Sequence, residues 1–261
     1  MTAALNIFAI LCAWALIGYL AYESAVSLRK YRLLKEAIAA GDSQARSRFY
    51  YDILLFEGVS AILACAALRF DPARLNPSRL QMAGTRFGNE LLHVWSQVNA
   101  GFLIGLGIGA AMAVALVLLA LRRSRQHPAE SRQLPAYLRK ILPDFSALIP
   151  TTIRERWLFA LVAISAGICE EVVFRGWLLD ALHGPVGLEG GTLVLAAASL
   201  FGIAHYYQGI SGVLVTGVLG FVFCGLYIAT GSLLVPIIIH ALIDLRIAVF
   251  PSVPVINSNI P

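Results

Sequence analysis

The sequence is short of charge. Only 13% of its 261 residues are Asp, Glu, Lys or Arg, where a soluble domain usually carries about 25%. With 59% hydrophobic residues, this excludes an ordinary soluble domain and a disordered chain. It predicts an integral membrane protein. Cysteine is scarce and unpatterned. Cys12, Cys65, Cys169 and Cys224 each lie in an apolar segment and none forms C-x-x-C, which excludes a zinc knuckle and a dithiol redox motif and leaves small core residues. H-E-x-x-H is absent, as are a fixed-period repeat and a low-complexity tract. The first apolar run has no basic residue before it and no small-residue cleavage site after it. It is expected to be a retained helix, not a signal peptide. The net charge of +5 would suggest an acidic partner in a soluble protein. Here membrane orientation accounts for it, and no nucleic-acid partner is expected.

What is present is a series of apolar runs. Seven candidate spans fall at residues 5–22, 53–68, 101–121, 157–182, 192–207, 211–230 and 233–250. The expected fold is all-α, a polytopic membrane bundle of about seven helices. Three regions follow: an N-terminal three-helix part over 1–121, a basic proline-interrupted linker over 122–156, and a four-helix part over 157–261. Residues 24–50 carry six Lys and Arg, with Tyr31, Leu34, Ala37 and Ile38 at helical spacing. They read as an amphipathic helix on the membrane surface. The loops after spans one and three hold fourteen Lys and Arg, against four after span two. The positive-inside rule then puts the N-terminus outside and the two basic loops in the cytoplasm.

Ionisable groups inside the apolar half need a reason, because burying them in lipid is costly. Glu170, Glu171 and Arg175 interrupt the fourth run, and no Lys or Arg occurs between Gly176 and Leu245. Glu171 and Arg175 are four apart, with Glu first, the better order for an intrahelical pair. Glu170 is turned about 100° away. Phe201 and His205 share a face by the same spacing, as do His240 and Asp244. This suggests a structural Glu171–Arg175 pair, with Glu170, His205, His240 and Asp244 converging between the fourth, fifth and seventh spans. A desolvated carboxylate suits general-base work, and an imidazole beside it can position the same water. A second imidazole with an Asp partner can face a developing oxyanion. The chemistry so equipped is hydrolysis of a carbonyl compound, most plainly a peptide bond. The plain readings stand beside it: Glu171–Arg175 as helix-packing glue, Asp244 as a group that only orients His240, and Glu57 as an interfacial residue.

Glu170-Glu171-x-x-x-Arg175, Phe201-x-x-x-His205 and His240-x-x-x-Asp244, in that order, resemble the three motifs of the CAAX-protease and bacteriocin-processing family, the Rce1-like intramembrane proteases. The segment from Cys224 to Pro236 is similar to that family's lead-in to its last motif. The resemblance implies a membrane endopeptidase, multi-pass in the cell membrane, whose site opens to the cytoplasm and whose substrate is a membrane-associated protein or peptide. By position it makes Glu170 the catalytic base, His205 a holder of the water and His240 with Asp244 the oxyanion side. Glu171, Arg175 and Phe201 are supporting residues. Many members have Asn where this chain has Asp244, and an ionised Asp accepts but cannot donate. No cofactor is implied. Zinc is the alternative, since a Glu with two His is an acceptable ligand set. Two other functions compete. Gly209-Ile210-Ser211-Gly212 matches the G-x-S-G of rhomboid serine proteases, with His240 as the base, but leaves Glu170, Glu171 and Arg175 unexplained. A proton-coupled transporter or a scaffold would also bury Glu and His, though no inverted repeat is visible.

Overall fold

The computed structural model describes residues 2–69, 71 and 146–249. The third predicted span, most of the 122–156 linker and the end of the chain lie outside them. All regular structure among the described residues is helical: α1 Thr2–Ala39, α2 Ala45–Ala67, α3 Ile153–Glu171, a π-helical turn Val172–Leu178, α4 Leu179–His183, α5 Gly190–Ala204, α6 Gly209–Thr230 and α7 Leu234–Val249. Four continuous helical stretches are long and apolar enough to cross a membrane: Asn6–Ala39, Ala45–Ala67, Ile153–His183 and Tyr206–Thr230. Gly190–Ala204 is a shorter apolar helix. The protein is a helical membrane bundle.

One boundary differs from the sequence reading at the start of α3. The helix begins at Ile153, not near residue 157, because Thr152 and Glu155 form a capping box. The Glu155 amide donates to Thr152 Oγ1 at 3.2 Å, and Glu155 Oε2 accepts from the Thr152 amide at 3.1 Å. Oε2 also accepts from the Thr151 amide at 2.7 Å. A Thr followed three residues later by Glu is the sequence signature of such a start.

A larger difference lies in residues 24–50. They form no separate surface helix. α1 runs unbroken through Ala39, and at about 1.5 Å per residue its 38 residues exceed a bilayer core of about 30 Å. Tyr31 and Leu34 are buried in a cluster with Tyr50, Leu148, Phe159, Val162 and Ala248, and Ala37 and Ile38 pack at its edge. The apolar stripe is real, but it faces protein. The turn into α2 is held by Asp42, which accepts from the Gln44 amide at 2.9 Å and pairs with Arg48. Arg48 and that amide keep the Asp42 carboxyl below its ordinary range. The start of α2 is tied to the segment before α3, where Arg46 Nε donates to the Ala147 carbonyl at 3.1 Å and Tyr50 donates to the Leu148 carbonyl at 2.7 Å.

Two close helix approaches set up the interior. A Cβ on Gly167 would stand 2.9 Å from the Ala241 Cβ and 3.0 Å from the Ile237 carbonyl. α3 and α7 therefore touch backbone to backbone, one turn before Glu171 and beside His240. A Cβ on Gly202 would stand 2.6 Å from the Val213 carbonyl, which joins α5 to α6 just as tightly. Small residues allow such contacts in lipid. Gly167→Leu should separate α3 from α7 at an overpacking cost of about 1–3 kcal/mol. It should lower the melting temperature and the cleavage activity together. A variant as stable and active as the parent would show that the contact is not needed.

Candidate active site

The polar groups of three helices meet where α3 changes its winding. The helix from Ile153 passes through Glu170 and Glu171 and then loosens into the π turn over Val172–Leu178. Such turns recur at functional sites because they displace side chains from the regular ladder. Glu171 and Arg175 are paired as expected, with Arg175 Nη1 3.1 Å from Glu171 Oε1, and their side chains are 0% and 1% exposed. Arg175 Nη2 donates to the Gly220 carbonyl at 3.3 Å. Its guanidinium lies 4.4 Å from the Phe201 ring centre and 5.3 Å from that of Phe223. Two aromatic faces thus enclose a cation that lipid would not solvate.

Glu171 has a further partner that sequence spacing does not reveal. His240 Nδ1 lies 2.9 Å from Glu171 Oε1, so the imidazole donates to a carboxylate already paired with Arg175. From its spacing Glu171 is expected to be mainly structural, and Asp244 to share the oxyanion side with His240 or, on the plain reading, only to orient it. In the structure, Glu171 fixes one edge of the ring. Asp244 Oδ2 stands 3.5 Å from the other edge, at Nε2. The ring is also stacked on Phe223, with centroids 5.1 Å apart and planes at 24°. Phe223 carries no motif that would single it out in a sequence.

Glu170 stands apart from that pair, as its rotation predicts. Its Oε2 is 3.8 Å from His205 Nε2 and 3.9 Å from His240 Nε2, and it makes no hydrogen bond among the described residues. His205 caps the end of α5. Its Nδ1 donates to the Phe201 carbonyl at 2.8 Å, which leaves Nε2 turned toward Glu170. The Phe201 ring lies 4.8 Å from the His205 ring and against Arg175, so one phenylalanine braces both polar groups. Exposure rises along the cluster. The side chains of Glu171, Glu170 and Asp244 are 0%, 20% and 32% exposed. The sealed end is therefore Glu171–Arg175, and the open end is Asp244.

Glu57 departs from its expected place. It is not interfacial but 3% exposed, and its Oε2 has no hydrogen-bond partner among the described residues. It faces the Ser165 hydroxyl and lies close enough to Glu170, Asp244 and His240 for their charges to interact. α2 thus brings a fourth carboxyl toward the site. The only sequence signal was one acid in an apolar run. Ser211 lies in the first turn of α6, and the polar partners of His240 are Glu170, Glu171 and Asp244, so no Ser–His dyad forms. Ser211→Ala should cleave at the parent's rate, and loss of activity would revive the serine-protease alternative. Glu170, His205 and His240 are chemically acceptable for zinc. Among the described residues, however, no three His, Cys, Asp or Glu side chains are placed to hold a metal ion.

Three motifs from three helices therefore converge on one carboxylate. Residues 152–246 match the family model of the type II CAAX prenyl endopeptidase Rce1-like proteins. This part of the chain is similar to an Rce1-like domain. The comparisons with curated proteins and with solved structures match nothing. The matched segment holds α3 through most of α7, including every motif residue above, whereas α1, α2 and Glu57 lie outside it. The match supports a CAAX-type intramembrane endopeptidase acting on a membrane-associated substrate.

Proposed function

We propose that the protein is a glutamic endopeptidase in which Glu170 activates water to hydrolyse a peptide bond of a membrane-associated substrate. The observation that carries this is the approach of His205 and His240, from two other helices, to within 3.8 and 3.9 Å of one Glu170 oxygen. Those separations are too long for direct hydrogen bonds, and they suit a single water touching all three groups. Glu170 takes a proton from that water as its oxygen attacks the scissile carbonyl carbon. The carbonyl π pair moves onto oxygen and gives a tetrahedral oxyanion. As the C–N bond breaks, Glu170 returns the proton to the leaving nitrogen, and a carboxylic acid and an amine result.

The chain's other residues hold this geometry. His205 spends its Nδ1 proton on the Phe201 carbonyl and offers Nε2 to the water. His240 spends its Nδ1 proton on Glu171. A proton on its Nε2 faces the oxyanion side, with Asp244 beside it. Asp244 lies on α7 between His240 and Ala248, whose carbonyl accepts from Arg156 Nη1 at 3.4 Å. Arg46, Arg48 and Arg154 lie at the same end, near the starts of α2 and α3. Under the positive-inside rule this end faces the cytoplasm of a cell-membrane protein, so the site opens there. The test is cleavage of a farnesylated CAAX peptide by the purified protein in lipid vesicles. Release of the three terminal residues by the parent, absent in Glu170→Gln, is the expected result. An intact peptide with the parent, or equal release by both proteins, would overturn the reading.

A further inference from the structure

The oxyanion side is short of hydrogen-bond donors. Glu170 and an ionised Asp244 only accept, and His240, its Nδ1 proton given to Glu171, has only Nε2–H to offer. One further hydroxyl side chain stands beside His205. Tyr207 follows His205 in the short 3₁₀ turn Tyr206–Gln208 between α5 and α6. Its ring centre is 6.1 Å from that of His205 and 5.7 Å, edge-on, from that of Tyr31. Tyr31 is buried in the cluster that joins α1 to α3, so the Tyr207 ring is braced against that cluster.

The hydroxyl is oriented from one side only. Gln208 Nε2 donates to Tyr207 Oη at 2.9 Å. Gln208 is itself buried, at 5% exposure, and α6 makes room for it at Gly212, where a Cβ would stand 2.3 Å from the Gln208 Cβ. With one lone pair of Oη engaged by that amide, the phenolic proton has no acceptor among the described residues. The oxygen lies close enough to Glu170 and Asp244 for their charges to interact with it. The Tyr207 ring stands beside that of His205, whose Nε2 is 3.8 Å from Glu170. A braced donor whose proton is uncommitted until charge develops costs little to reorganise at the transition state.

We infer that Tyr207 is a further catalytic residue, whose phenolic O–H donates to the oxyanion of the tetrahedral intermediate. This rests on the proposed glutamate-activated water. The proton stays on tyrosine and is lent as a hydrogen bond, so the proton balance of hydrolysis is unchanged. Gln208 is a positioning residue for that hydroxyl. Tyr207→Phe keeps the ring and its packing and removes only the donor.

The experiment compares the parent, Tyr207→Phe and Glu170→Gln in vesicles, using the farnesylated CAAX peptide and its analogue with a difluoroketone in place of the scissile amide. The hydrate of that ketone mimics the tetrahedral intermediate. In Tyr207→Phe, kcat should fall by about 10²–10³-fold, the range for losing one oxyanion donor. KM and the melting temperature should stay at the parent's values, and the analogue should bind more weakly by the same factor as kcat/KM. A parent-like kcat, unchanged analogue binding, or activity lost together with the melting temperature overturns the role of Tyr207. If Glu170→Gln is inactive in that same experiment, the glutamate reading survives and only the tyrosine inference falls. A peptide left intact by the parent, or cleaved equally by Glu170→Gln, overturns both.

Discussion

Glu170→Gln should lower the cleavage rate by about 10²–10⁴-fold, the range for removing a positioned general base, while the protein inserts and melts as the parent does. The two halves of this result have separate causes. Gln keeps the size of the side chain and loses the ability to take a proton. Glu170 Oε2 forms no hydrogen bond among the described residues, so the amide breaks no pair on which the helices depend. The check is a rate measurement on the farnesylated peptide beside a thermal melt in the same lipid. A variant that keeps the parent's rate would remove Glu170 from the chemistry. One that melts far below the parent would show Glu170 to be structural.

Arg175→Met should behave in the opposite way, with loss of stability first. It leaves Glu171, at 0% exposure, with only the His240 hydrogen bond against its buried charge, and breaking a buried pair on one side costs about 3–5 kcal/mol. Glu171→Leu combined with Arg175→Met removes both charges, and most of that stability should return, because apolar replacement of a whole buried pair is often neutral or better. Activity should not return with it. In the double variant, the Nδ1 edge of His240 has lost the carboxylate 2.9 Å away, and the ring is free to change tautomer and tilt. Chemical unfolding in detergent measures the first effect, and cleavage of the farnesylated peptide the second. A double variant that cleaves like the parent would show that Glu171 does not orient His240.

The asymmetry between the two adjacent glutamates was legible in the chain. The i,i+4 relation of Glu171 to Arg175 and the turn of about 100° between neighbours separate a paired acid from an unpaired one. The helical spacing of Tyr31, Leu34, Ala37 and Ile38 was also legible as a stripe. What that stripe faces was not. A buried stripe and a lipid-facing stripe have the same period, and only packing against Phe159 and Val162 distinguishes them. Glu57 was misplaced for a related reason. A single acid near the end of an apolar run looks the same whether the helix end sits at the interface or its side faces another helix.

By itself, the sequence determined an all-helical membrane bundle, because long apolar runs with few charges have no other stable home. It also determined the polar residues that the last spans bring together, though not Glu57 of α2, because too few ionisable groups fall in those spans for them to be scattered. The tertiary structure decided how those groups are shared. The contact of Gly167 with Ala241 brings α7 close enough for His240 to reach Glu171, and the π turn after Glu171 lets Arg175 lie between Phe201 and Phe223. These are contacts between residues far apart in the chain. Their distances depend on how closely two helices approach, which local spacing does not encode.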